Sequence, residues 1–389
     1  MHLYNYTSVD YLINLLTSAN NLEKIILVIF GLSLLIQLIY YFFVYSRILF
    51  YKQNEKSTVE NPVSVVICAR NEVENLKKHL PLILTQDYPN YEVIVVNDCS
   101  SDKSEETLAV LQTKYPNLRV TTIKEDKKFY HGKKLALTIG IKAAKNEILL
   151  LIDADCYPVD KNWIRQMQKN FTDKTEIVLG YGGYVNRKGF VNKLIRFDTF
   201  FIALQYFGFA LAGKPYMGVG RNLAYRKSTF FNNKGFAGHS HILSGDDDLF
   251  INKVANKKNV KIEIDKSSHT RSIPKSNLKE WFAQKQRHLT TSKYYKTKSK
   301  FFLGIEILSR ILFYLSFIFL LIIKFDYRII LIAFLIRLFV QSVIIKKGMN
   351  RLQEKSFLFL VTIFDILLPI FNFCLIISNY FIIRQNKWK

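Results

Sequence analysis

Hydrophobic and polar positions divide the chain into apolar runs at both ends and an alternating pattern between them. Residues 25–45, IILVIFGLSLLIQLIYYFFVY, carry no charge. As a helix rising 1.5 Å per residue, such a run spans the ~30 Å hydrocarbon core of a bilayer. It has no basic leading segment and no small-residue cleavage site, so it predicts a retained anchor and not a removed signal peptide. The apolar signal returns after residue 300. Stretches 302–323 and 329–345 read as two spans, and 356–383 as a third run interrupted by Asp365, Pro369 and Asn372. That last run fits either one span or a re-entrant pair broken near Pro369.

Between the ends, short β-rich runs alternate with helical patterns. VSVVICA (63–69), YEVIVVND (91–98), LRVTTIK (118–124) and EILLLIDAD (147–155) predict strands, with helices over about 74–85, 103–114 and 133–145. This alternation predicts an α/β domain with a mostly parallel, Rossmann-like sheet and ligands beyond the carboxyl ends of the strands. Residues 200–212, FFIALQYFGFALA, are too short to span and predict a buried or interfacial helix. Residues 278–289 place Leu278, Trp281, Phe282 and Leu289 near helical spacing beside basic residues, the pattern of a membrane-surface helix. The expected organisation is an N-terminal segment with anchor (1–46), a linker (47–61), a catalytic domain (62–277), an interfacial helix with basic linker (278–300) and a C-terminal membrane region (301–389).

Charge sharpens this division. The 389 residues carry a net +24, yet residues 1–46 hold a single basic residue, Lys24, and residues 301–389 only eleven. A basic middle with apolar flanks suits phosphate-bearing ligands or an anionic membrane surface. No zinc-finger spacing or RNA-binding aromatic signature points to nucleic acid. Arg47 and Lys52 follow the anchor, so the positive-inside rule predicts a multi-pass protein of the plasma (inner) membrane with residues 47–300 in the cytoplasm. The tail with Arg384, Lys387 and Lys389 obeys that rule only if 356–383 turns back. Cys68, Cys99 and Cys156 show no C-x-x-C spacing, as expected where thiols stay reduced.

The polar residues with chemical promise fall at predicted strand ends and helix starts. Asp153 and Asp155 stand one residue apart after an apolar strand, the donor set for a hard divalent cation that also meets a diphosphate; a polar strand exit is the bland reading. Asp98 suits a ribose or base contact, or a turn-initiating role in NDCSSD. Lys133 opens a helix where donors meet phosphate, or is simply exposed. Asp246, Asp247 and Asp248 in a row repel one another, which calls for a cation, a helix N-terminus or a catalytic use. A helix cap accounts for one of the three. Gln284 and Arg287 share one helical face.

Taken in order, ARNE, NDCSSD, HGKKLAL, DAD, GRNLAYRKS, GDDDL and QKQRH resemble the family-2 glycosyltransferases of glycosyltransferase-A fold over about residues 62–290. The likeness is greatest to the membrane-embedded group of cellulose, hyaluronan and poly-N-acetylglucosamine synthases and ceramide glucosyltransferases. The resemblance implies that Ala69, Arg70, Asn71 and Glu72 line the nucleotide pocket, that Asp98 meets the nucleoside, and that Lys133 lies near the donor. Asp153 and Asp155 would handle the diphosphate through Mg²⁺ or Mn²⁺, Asp246 and Asp247 would form the acidic pair with Asp247 as general base, and Gln284 with Arg287 would belong to the Q-x-x-R-W signature. His288 stands where that signature has Trp. The expected activity is inverting transfer from a nucleotide-diphosphate sugar, a UDP-sugar, to a lipid or membrane-delivered glycan acceptor. A processive, polymer-exporting synthase and a non-catalytic nucleotide-sugar-binding scaffold are the alternatives. His239, His241 and His269 are read as structural or exposed.

Overall fold

The computed structural model describes residues 17, 19–52, 57, 59–124, 132–240, 242 and 244–381; His241 and the basic tail residues Arg384, Lys387 and Lys389 lie outside these. In chain order its strands are β1 (Val63–Ala69), β2 (Tyr91–Asp98), β3 (Leu118–Ile123), β4 (Ile148–Leu151), β5 (Cys156–Pro158), β6 (Ile177–Leu179), β7 (Gly182–Tyr184), β8 (Leu223–Arg226), β9 (Val260–Ile262) and β10 (Thr270–Ser272). Seven form one sheet in the order β3-β2-β1-β4-β8-β6-β9, and β5-β10-β7 form a second. The first four strands of the large sheet run parallel, while β8 lies antiparallel to both β4 and β6.

Strand alternation sorts the central side chains into two cores. Val66, Ile94 and Val96 face the helix Lys133–Ala143, whereas Val63, Val65, Ile67, Val93 and Val95 face the helix Val73–Leu84. Burial on both faces explains the near-continuous apolar runs of these strands. Gly140 lets its helix settle on the sheet, since a Cβ there would lie 2.6 Å from Val66 Cγ1. Register then aligns the strand ends: Ala69 pairs with Asn97, and Val66 with Leu151. β4 stops at Leu151, short of the predicted 147–155 run. Ile152 still donates a 3.5 Å bond to Val66, and Cys156 N bonds Asp153 O at 2.9 Å, so Asp153–Asp155 form a turn at the carboxyl edge.

Among the described residues, five helices are long and apolar enough to cross a membrane: Asn21–Phe50, Phe190–Leu211, Thr297–Ile322, Tyr327–Arg351 and Leu358–Ser378. The second extends the predicted 200–212 segment. It is 72% buried inside the protein, against 28–39% for the others, which marks it as a core helix beneath the bundle. Gly208 meets Val44 O at what would be 2.6 Å from a Cβ, and Tyr45 packs edge-on to Phe201, so the anchor's end rests directly on this helix. The final helix, Val361–Phe381, runs through Pro369 without a break and does not form a re-entrant pair.

The helix Leu278–Leu289 also differs in part from its sequence reading. Trp281 is buried, the Phe282 ring lies tilted 5.3 Å from that of Phe371, Gln286 Nε2 donates to Ser378 Oγ at 2.7 Å, and Lys285 pairs with buried Asp198. Its apolar face is therefore covered in part by the protein's own helices, with Leu278, Phe282 and Leu289 left half-buried.

Two buried charge clusters bind the bundle. Arg337 reaches Asp365 at 2.7 Å, Gln37 Oε1 and Tyr314 OH at 2.9 Å each, while Arg310 pairs with Glu306 and, at 3.3 Å, with Asp365. Two cations and two anions cancel, which is how ionisable groups persist among apolar helices. At the domain-facing end, Glu354, fully buried, accepts from Arg196, Arg271 and Tyr181. Glu354→Gln leaves two guanidinium groups without their counter-charge, so stability should fall by about 3–5 kcal/mol, read as a lowered denaturation midpoint in detergent. An unchanged midpoint would show that this clamp carries no weight.

Candidate active site

The carboxyl edge gathers most of the expected residues. Lys133, at the first turn of its helix, sits 2.8 Å from Asp153 Oδ1 and 2.8 Å from Asp246 Oδ2. It thus bridges the D-x-D turn and the acidic run and is not left exposed. Burial works against its charge, but Asp153, Asp246 and Asp247 hold its pKa well above the ordinary lysine range. Burial likewise opposes ionisation of Asp246, and Lys133 overrides it and pulls that carboxyl down.

The three consecutive aspartates have three different surroundings. Asp247 caps the helix Asp248–Val254, accepting from Asp248 N and Gly220 N at 2.7 Å each. Burial, then the charges of Asp246 and Asp248, raise its pKa to about 7. Asp248 points away, into Thr291 and Tyr295, whose hydroxyls donate to its Oδ2. It ties the acidic run to the segment before the helix Thr297–Ile322. A Cβ on Gly220 would lie 3.5 Å from Asp247 Oδ2, 3.6 Å from Lys133 Nζ and 3.7 Å from Asp153 Oδ1. Three charged groups from three elements therefore surround one backbone point. Beneath them a cavity of about 20 Å³ between Cys68, Asp153 and Asp246 has room for a single water.

Asp153, Asp155 and Cys156 offer ligand atoms within 4.8 Å of one another. Ser272 Oγ, 3.2 Å from Asp155 Oδ2, holds that carboxylate in place. Burial and the charges of Asp155 and Asp153 push the Cys156 thiol up, so it stays neutral. The remaining donors are carboxylate oxygens, which fit a hard divalent cation such as Mg²⁺ or Mn²⁺.

The residues expected at the nucleotide, Ala69 to Glu72 and Asp98, lie along the ends of β1 and β2. Ala69 and Asp98 are buried. Asn71 adopts φ +56°, and its Oδ1 accepts from Ser101 N at 2.8 Å while its own N–H donates to Ser100 Oγ. Glu72 N–H donates to Ser104 Oγ at 3.1 Å. Asn71 and Glu72 thus knit the two loops together, with Arg70 between Ala69 and Asn71. Gln284 Nε2 lies 3.4 Å from Tyr184 OH, and Arg287 follows on the same face of its helix. His288 is exposed to solvent, within electrostatic reach of Arg221, Lys133 and Asp246. His269 and His239 are buried inside the domain.

Arg221 escaped the sequence reading, although it lies within GRNLAYRKS. Its guanidinium stands 4.4 Å over the Tyr184 ring, close enough to Asp153 and Asp155 to feel their charges. Its Nη1 is buried with no hydrogen-bond partner among the described residues. Asn222 locks the loop that carries it, bonding Trp163 Nε1, Tyr181 O and Ser268 O at 2.8–3.0 Å. The only available signal was the cation two residues before a strand.

Residues 64–233 match the family described as Glycosyl transferase family 2. The chain carries a family 2 glycosyltransferase domain. Within its sequence, the chain is 36% identical over 106 residues to glycosyltransferase AglE of Haloferax volcanii, covering 27% of this chain and 33% of the relative. It is 34% identical over 121 residues to a poly-beta-1,6-N-acetyl-D-glucosamine synthase of Staphylococcus epidermidis, covering 30% and 28%. Over 148 residues it is 29% identical to a beta-monoglucosyldiacylglycerol synthase of Synechocystis, covering 37% and 29%. The chain thus spans about a third of the length of these curated relatives. In three dimensions the glycosyltransferase domain and its helices superpose on a mannosyltransferase of Pyrobaculum calidifontis, solved with GDP-Man and Mn²⁺, with TM-score 0.57 and 17% identity, covering 86% of this chain and all of that one. The shared architecture is the glycosyltransferase-A fold.

Proposed function

We propose that this chain is a metal-dependent, inverting glycosyltransferase that moves a sugar from a nucleotide-diphosphate sugar, a UDP-sugar, to a lipid or membrane-delivered glycan acceptor. The observation that carries the reading is the convergence of Asp153, Lys133 and Asp247 on one point above Gly220. Asp153 and Asp155 hold Mg²⁺ or Mn²⁺, which when bound supplies positive charge to the diphosphate. Asp247 accepts the acceptor hydroxyl's proton as the acceptor oxygen bonds the anomeric carbon and the bond to the diphosphate breaks on the opposite face. A carboxyl raised to about 7 is basic enough to take a proton yet ionised above neutrality. Asp246 keeps Lys133 charged and in place beside Asp153. Arg221, whose Nη1 has no partner among the described residues, and Arg287 add charge at the diphosphate, while Ala69, Arg70, Asn71, Glu72 and Asp98 form the nucleoside end and Gln284 positions Tyr184.

The relatives that make a glucolipid and a β-linked glycan support a lipid or glycan acceptor. The bundle interior, filled by Arg310, Arg337, Glu306 and Asp365, favours single transfer over export of a polymer. Purified protein given a panel of UDP-sugars, Mn²⁺ and a membrane lipid extract should yield one glycosylated lipid, identified by mass. Transfer to none of the extract's lipids, with soluble polymer formed instead, would favour the processive alternative.

The same reading places the domain in the cytoplasm, on the inner membrane. A cysteine introduced at exposed Asp173 should resist an impermeant maleimide in intact cells and react after permeabilisation. Labelling from outside intact cells would reverse the topology.

A further inference from the structure

The helix Tyr327–Arg351 ends against the α/β domain, where Gly348 lies beside Phe200 and Glu354 grips Arg196 and Arg271. The chain then turns through Gln353 at φ +55° and Ser356 at φ +74° before the last helix begins. This turn borders an open cleft of about 580 Å³, lined by Lys346, Asn350, Gln353, Lys355, Ser356 and Phe359 among others. The volume falls within the ~300–1,000 Å³ typical of small-molecule sites.

The charge on its walls is unbalanced. Lys346 and Lys355 are both exposed, and neither has an ion-pair partner among the described residues. The one carboxylate on the wall, Glu354, is already held by two arginines. Two ammonium groups therefore line the cavity with no carboxylate paired to them among the described residues, and Asn350, Gln353 and Ser356 add neutral polar groups. On the other side stands Phe359, 99% exposed, at the start of the apolar segment that continues as Val361–Phe381. A ring left so bare is costly in water and at home against acyl chains. The cavity is thus cationic where the bundle meets the domain and aromatic where the bundle turns apolar.

We propose that this cavity binds the phosphate headgroup of an anionic phospholipid, with Lys346 and Lys355 at the phosphate and Phe359 against the upper acyl chain. A soluble phosphate has the same anionic chemistry and makes no use of Phe359. The proposal does not depend on sugar transfer, because lipid retention reads it directly. Each lysine near an anionic lipid surface contributes about one factor of five, so the pair sets the preference.

The full chain, delipidated in detergent, is given phosphatidylglycerol or phosphatidylcholine and weighed by native mass spectrometry. One phosphatidylglycerol should be retained, in preference to phosphatidylcholine. Lys346→Gln with Lys355→Gln should weaken that retention by roughly 10–30-fold. Both lysines are on the surface, so the variant folds as the parent does. Lys298→Gln with Lys300→Gln, which removes the same charge from the neighbouring helix, should leave retention unchanged. Equal retention by the Lys346/Lys355 variant, or equal loss in the Lys298/Lys300 control, would overturn the site. Displacement of the lipid by millimolar glycerol 3-phosphate would overturn the lipid as its occupant.

Discussion

Asp247→Asn should lower sugar transfer by roughly 10²–10⁴-fold, the span lost with a general base, while UDP affinity stays near the parent value. The substitution preserves shape and capping, since Asn caps a helix about as well as Asp. It removes one of the two acceptor oxygens now used by Gly220 N–H and Asp248 N–H, at a cost of about 1 kcal/mol in stability. That is too little to account for the kinetic loss. The parent's pH profile carries the same information. Burial and two flanking carboxylates raise Asp247 to about 7, so its base form is depleted as pH falls. Transfer should therefore decline toward acid through about pH 7 and hold level above it. If Asp247 serves only as a cap, Asp247→Asn transfers sugar near the parent rate, and the acid decline has another origin.

Asp155→Asn should act on the donor instead. Asp155 lies in the D-x-D turn with Asp153, fixed by Ser272, and in the proposed function it would contribute a carboxylate to the cation. Losing an outer-shell partner of a metal costs 10–100-fold, so losing a ligand should weaken Mn²⁺-dependent UDP binding by on the order of 10²-fold or more. Calorimetric titration with UDP, with and without Mn²⁺, reads this directly. Parent turnover should vanish in chelator and return with Mg²⁺ or Mn²⁺. Full turnover in EDTA would remove the metal from Asp153 and Asp155, and UDP binding by Asp155→Asn at the parent affinity would remove Asp155 alone.

The first half of the domain was legible because its strands are long and buried on both faces. β1 and β2 end where their apolar runs end, and their terminal polar residues, Arg70 and Asp98, lie at the carboxyl edge as the alternation implied. Strands β6, β7, β9 and β10 have three residues each, too few to show a period of two, and their partners are distant in sequence. Long-range contacts likewise hid the division of labour among the aspartates. Asp248 is claimed by Tyr295, forty-seven residues on, and Asp246 by Lys133. Only the fold brings those side chains together. The helix Leu278–Leu289 was ambiguous for a different reason: a stripe of Leu, Trp and Phe looks the same whether lipid or a neighbouring helix covers it, and here Phe371 covers Phe282 while Ser378 bonds Gln286. Arg221 was invisible because a lone arginine in a loop has no pattern; its Nη1, without a partner among the described residues, and its stacking on Tyr184 exist only in three dimensions.

The central claim is a single displacement at the anomeric carbon, with Asp247 on the acceptor side and the diphosphate leaving from the D-x-D side. The most direct test is the configuration of the product's anomeric centre, read by proton NMR on material made from an α-linked UDP-sugar. One in-line step inverts that centre, so the product should be the β-anomer. An α-linked product would require retention, and would contradict the assignment of Asp247 as the base of a single-step transfer.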